Sequence, residues 1–137
     1  EKGVLEREVE YSTMPGLIDE NPFKMDVLLS EMMDIETINE AMIMTKDELT
    51  SRIKDLTEAF KSFDYTSIHL QSHTIKGIGA TMACSVIKES ALPVEEYALS
   101  SMDPSFTTDM TVMNDFISTL VREVSFVISY IESNYTG

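Results

Sequence analysis

At 137 residues the chain is long enough for one domain with a real core, and its 43% hydrophobic and 25% charged residues are ordinary for a globular protein. A net charge of −14 argues against nucleic-acid or anionic-membrane partners. No apolar run approaches a membrane span, no signal-peptide pattern is present, and the single cysteine, Cys84, excludes an intramolecular disulfide and points to a reducing, cytoplasmic setting.

Cys84 itself reads as a small buried hydrophobe rather than a catalytic thiol. The chain opens at Glu1 rather than Met, which fits a piece cut from something longer. The acidity is uneven. Beyond Lys88 the only base is Arg122, against Glu89, Glu95, Glu96, Asp103, Asp109, Asp115, Glu123 and Glu132. This is a solubilising surface first, and a field that helps exclude wrong partners second.

Residues 1–16 lack periodicity and end at the Met14-Pro15-Gly16 turn signal, so they read as an arm with a short helix near Val4–Val9. The domain proper is expected over 17–137. Asn21-Pro22 offers a cap and a first-turn proline for a helix whose apolar stripe is Met25, Leu28, Leu29 and Met32. Two further stripes follow, Ile35–Ile38–Met42 and Leu49–Ile53–Leu56–Phe60–Phe63. Thr45 and Glu48 suit a capping box between them; equally, one long helix from Asp34 to Phe63 carries both.

Asp64 is the expected cap of the next helix, with Ile68, Ser72, Ile75, Gly79 and Met82 facing inward. A break at Ala83–Ser85 precedes a helix running to Ser100, in which Pro93 predicts a kink or a split. Residues 101–107, with Asp103-Pro104, read as a loop. The last helix spans Thr108 to Asn134, with the stripe Met113, Ile117, Leu120, Val124, Val127, Ile131 and Tyr135. No alternating strand pattern persists. The expected fold is all-α: an antiparallel up-down four-helix bundle with one or two additional N-terminal helices.

The chemistry concentrates at His73-Thr74-Ile75-Lys76-Gly77. On a helix, His73, Lys76 and Gly77 share a face with His69 and Ala80, away from the inward stripe. Imidazole is the side chain best suited to taking and returning a group near pH 7. An ammonium one turn away neutralises an incoming phosphoryl group, and a glycine lets a partner's backbone approach. Two glycines in one helix, Gly77 and Gly79, each cost about 1 kcal/mol against alanine. That cost implies partner approach at Gly77 and close helix packing at Gly79.

The run His73-Thr74-Ile75-Lys76-Gly77-Ile78-Gly79-Ala80-Thr81-Met82 resembles the core motif of the histidine-containing phosphotransfer (HPt) domain of two-component signalling. The motif is a histidine, any residue, Leu or Ile, Lys-Gly and then small residues. The likeness extends from about Leu49 to Leu99. It implies a phosphorelay carrier, a phosphoprotein whose His73 Nε2 takes a phosphoryl group and passes it on. The donor is a receiver-domain aspartate or a histidine kinase, and the acceptor a response-regulator receiver. Lys76 is implied to compensate the phosphoryl charge. The receiver, not this chain, is implied to bring Mg²⁺, and no cofactor is expected on the chain itself.

In such domains a Glu or Gln on the following helix often accepts a hydrogen bond from the histidine Nδ1–H. Glu95 stands there, read either in that orienting role or as an ordinary surface acid beside Glu96. Leu70, Ile78, His69, Gly77 and Ala80 are the docking candidates, joined by Met25, Leu29 and Met32, although most of the methionines suit the core better. The chain departs from the family pattern in three places. Ala83 stands where a glycine is usual, suggesting a slightly wider helix crossing; Ala98 and Leu99 stand where a base is frequent; and Pro93 is unusual.

Two other readings compete. One is a helical adaptor that binds receivers without relaying phosphate. The other is a metal site on His69 and His73, which stand four apart; it needs further ligands, and neither an HExxH nor a nearby Cys-x-x-Cys pattern supplies them. No metal ligand is therefore assigned.

Overall fold

Three aspartates start three of the four long helices. The structure, a computed structural model, describes residues 20–135, so the expected arm over 1–16 and its short helix lie outside the described residues. Within them are five helices and no strand: α1 (Met25–Met32), α2 (Ile35–Lys61), α3 (Tyr65–Thr81), α4 (Ser85–Ser101) and α5 (Met110–Asn134). Asp34 caps α2 by accepting from Thr37 N at 2.7 Å. Asp64 caps α3, accepting from Ser67 N at 3.1 Å, and Asp109 caps α5, accepting from Thr111 N at 2.9 Å. Each side chain satisfies a backbone donor that the first helical turn leaves unpaired.

The second and third stripes belong to one helix. Ile38, Met42, Leu49 and Leu56 are all fully buried, and Thr45 is buried at the position between Met42 and Leu49. The two apolar runs are thus in register, and Thr45 fills the gap in the stripe instead of capping a break. Phe63, expected to end that stripe, is 60% exposed and lies beyond the helix with φ 57°. The helix stops at Lys61, and the left-handed turn at Phe63 lets Asp64 N donate to Ala59 O at 2.9 Å.

Two other helix boundaries depart from expectation. Asn21 does not cap α1: its Oδ1 accepts from Phe23 N at 2.8 Å, a local turn that ends the chain's approach, and Lys24 occupies the cap position without a side-chain bond. Pro93 does not split α4, which runs unbroken from Ser85 to Ser101. The carbonyl that proline leaves without a helical donor belongs to Glu89, an exposed residue where water compensates cheaply.

Helix α3 packs on α2 and α4, α5 packs on α4 and α2, and α1 lies against α2. The four long helices therefore form a closed cycle of neighbours around one apolar core. Every inward residue expected on α3 is buried: Ile68, Ser72, Ile75, Gly79 and, at the C-cap, Met82. Ser72 meets its burial by donating to Ile68 O at 2.7 Å. On α5, Met113, Ile117, Leu120, Val124, Val127 and Ile131 are buried. Lys24 N donates to Ala83 O at 3.0 Å, tying the chain before α1 to the α3–α4 turn.

Helices α3 and α4 come into tight contact at Gly79. A Cβ there would stand 2.8 Å from Lys88 N and 3.1 Å from Cys84 O, so the expected close packing at this glycine is present. Ala83, by contrast, has a conformational role rather than one in helix spacing. It sits at φ 54° in the turn between the two helices, the left-handed region that a glycine enters without strain. No described helix is long and apolar enough to cross a membrane.

Candidate functional site

Because Ile68, Ser72, Ile75 and Gly79 fix the inner face of α3, the opposite face carries His73, whose side chain is 62% exposed. Gly77 and Ala80 are exposed on it as well, and nothing lies within 4 Å of where a Gly77 Cβ would be. Leu70 is exposed. Ile78, in contrast, is partly buried and packed against the core, as are Met25 and Met32, which leaves Leu29 as the exposed side chain of that group on α1.

Glu95 converges on the same place from α4. It is not a surface acid: it is buried, while its neighbour Glu96 is exposed. One carboxylate oxygen, Oε2, lies 2.7 Å from His73 Nδ1, and the other, Oε1, lies 2.6 Å from Lys76 Nζ. His69 Nε2 stands 3.9 Å from Oε2, and the His69 ring stacks near-parallel to that of His73, with centroids 6.4 Å apart. One carboxylate thus gathers three side chains of α3.

The electrostatics of Glu95 are a balance. Burial is the largest single influence and pushes its carboxyl up. The close contacts with Lys76 and His73, with the charges they carry, together outweigh it and hold the group below the usual carboxylate range. Glu95 is therefore ionised at neutral pH and can only accept. In neutral His73 the proton must then sit on Nδ1, which donates to Oε2. Nε2 is left with its lone pair, on an exposed ring. A partly exposed imidazole with a free Nε2 can act as a nucleophile or take a proton.

Lys76 is not a free cation. Its side chain is 28% exposed and its ammonium is paired with Glu95. Ala98 is fully buried, so a charged side chain has no room at that position. Leu92 and Leu99 are 41% and 55% exposed on α4, three residues before and four after Glu95, and so on its helical face. They lie outside the docking surface expected from the sequence. Their spacing from Glu95 was the available signal, but it acquires meaning only once Glu95 is known to point at His73.

Among the described residues no group of three or more His, Cys, Asp and Glu side chains is arranged to hold a metal ion. Cys84 is buried and its thiol is pushed up to about 11, chiefly by burial, as suits a structural residue. No protein-family model, curated protein or solved structure matches the chain.

Proposed function

We propose that this protein is a histidine phosphotransfer carrier of a multistep phosphorelay, with His73 as the phosphoryl acceptor. The observation that carries the reading is the 2.7 Å contact between His73 Nδ1 and the buried Glu95 carboxylate. It selects one ring tautomer and aims the lone pair of Nε2 at solvent. A surface histidine without a role has no need of a buried acid behind it.

The transfer would run as follows. Nε2 attacks the phosphorus of a receiver aspartyl phosphate. The P–O bond to the aspartate breaks, restoring that carboxylate, and an Nε2–P bond forms. A second receiver aspartate then attacks the phosphohistidine and the ring takes back its lone pair. Phosphoryl transfer relies on in-line placement and charge stabilisation, and the receiver with its Mg²⁺ would provide most of the latter. The donor in some settings would be a histidine kinase. Gly77 and Ala80 would let the receiver come close, and Leu70, Leu92 and Leu99 would form the apolar ground around the histidine.

The same reading includes the finer architecture. The closed cycle α2–α3–α4–α5 is, in this proposal, an antiparallel up-down four-helix bundle with α1 as an addition. Supporting it, Tyr65 at the start of α3 contacts Met110 at the start of α5, while Tyr135 just past the end of α5 contacts Met25 at the start of α1. A cytoplasmic site of action follows from the nature of the partners.

The test is to mix the protein with a phosphorylated receiver and look for acid-labile label on the chain. Label on the wild type and none on His73→Gln supports the proposal. Stable receiver binding without label would leave an adaptor in its place.

A further inference from the structure

The motif implies a Lys76 ready for the phosphoryl group, yet its ammonium is 2.6 Å from Glu95 Oε1. The other oxygen of the same carboxylate is 2.7 Å from His73 Nδ1. The Glu95 side chain is only 12% exposed, so water does little to hold it in place or to screen it. We infer that Lys76 is a positioning residue that acts on His73 through Glu95, clamping the carboxylate so that Nδ1 carries the ring proton and Nε2 stays bare. The inference rests on the phosphocarrier reading for its purpose, but not for its physics.

The geometry leaves few other candidates for the task. Helix α3 is packed against α2 and α4. From α3 itself, His69 approaches Glu95 only to 3.9 Å, beyond hydrogen-bond reach. From α2, Arg52 is engaged elsewhere: it donates to Gln71 Oε1 at 3.3 Å and pairs with Glu48 at 3.5 Å. From α4, Glu96 is exposed and adds only another negative charge. Lys76 is thus the charged partner of Oε1, which meets no directed hydrogen bond, so the ion pair is what holds the plane of the carboxylate and the direction of Oε2.

The consequence for His73 is chemical. A histidine side chain without a partner favours the tautomer protonated at Nε2, in which the exposed nitrogen has no lone pair to offer. A carboxylate locked against Nδ1 reverses that preference. If the carboxylate is free to rotate, or gains a proton and can itself donate, the selection weakens. The reactive fraction of His73 then falls although the ring has not moved.

The proposal separates cleanly from direct charge compensation by a double-variant cycle. The variants are Lys76→Met, Glu95→Ala and their combination, with Lys76→Arg as the conservative rescue. Glu95→Leu replaces Glu95→Ala if the smaller residue loosens the core. Two readouts are used on the intact chain: the ¹⁵N state of the His73 ring nitrogens, and the rate of label uptake from phosphoramidate. In that uptake Nε2 displaces ammonia from phosphorus without any receiver.

The expected result is that Lys76→Met shifts His73 toward the Nε2–H tautomer and slows uptake several-fold, and that Lys76→Arg restores both. In the Glu95→Ala background Lys76→Met should change neither. If Lys76→Met slows uptake by the same factor with and without Glu95, Lys76 acts on the phosphoryl group itself and the inference is overturned. An unchanged tautomer in Lys76→Met overturns it equally. If no variant or wild type takes label while the tautomer still follows Lys76 through Glu95, the inference stands and the phosphocarrier reading fails.

Discussion

Gly79 and Lys88 leave no room between them: a Cβ on Gly79 would lie 2.8 Å from the Lys88 backbone nitrogen, a distance real Cβ atoms essentially never show. That approach sets how closely α3 and α4 pack, and so how near Glu95 comes to His73. Gly79→Ala should destabilise the protein by about 1–3 kcal/mol, because the clash is with backbone and outweighs the gain in helix propensity. The variant should also lengthen the His73–Glu95 contact. A melt and the His73 ring spectrum check both; an unchanged melting temperature would show that the helices can part freely.

Gly77→Ala should behave in the opposite way. Nothing lies within 4 Å of the new methyl group, so the helix gains up to about 1 kcal/mol from propensity alone. On the proposed docking face the same methyl should slow transfer from a receiver while leaving uptake from phosphoramidate intact. Equal effects on both donors would move Gly77 from partner approach to the acceptor chemistry.

Ala83→Gly should stabilise the fold. An L-residue at φ 54° carries about 1–2 kcal/mol of strain that glycine relieves. Glycine's greater freedom in the unfolded chain takes back part of this, and Ala83 is partly packed on the core. A net gain of about 0.5 kcal/mol is expected from these opposing terms. Denaturant titration would measure it, and a loss of stability would mean that the Ala83 methyl matters more than its backbone angle.

His73→Gln should abolish phosphoryl acceptance and leave the melt nearly unchanged, within about 0.5 kcal/mol, as for most exposed substitutions. Glutamine retains a donor that can reach Glu95. Label retained on this variant would place the acceptor elsewhere.

Glu95 ties stability to pH with a definite sign. Its folded carboxyl lies below the ordinary value of 4.5. Its contribution is therefore complete above that value and is lost as pH falls through the folded one. Melts of wild type and Glu95→Gln should differ most near neutrality and converge under acid. A gap that stays constant down to strongly acidic pH would show that the carboxylate's charge contributes nothing to the fold.

The sequence by itself determined that the chain is helical and most of its inner faces, because 3.6-residue periodicity and short polar caps are local properties; of the expected stripe residues, Leu29, Ile35 and Phe63 stand exposed. Asp64 before Ile68–Ser72–Ile75–Gly79 is enough to say where α3 begins and which side is buried. It also picked out the exposed face with His73 and Gly77. Tertiary structure decided what sequence left open or misread. Whether Thr45 ends a helix or fills a stripe depends on what α2 packs against. Whether Ala83 spaces helices or turns the chain depends on a backbone angle. Above all, Glu95 and Glu96 are equivalent as letters. Only the rotation of α4 against α3, held by the contact at Gly79, buries the first beneath His73 and Lys76 and leaves the second in water. Local patterns carry information about a helix's own faces; the pairing of one face with another is a long-range property, set by packing.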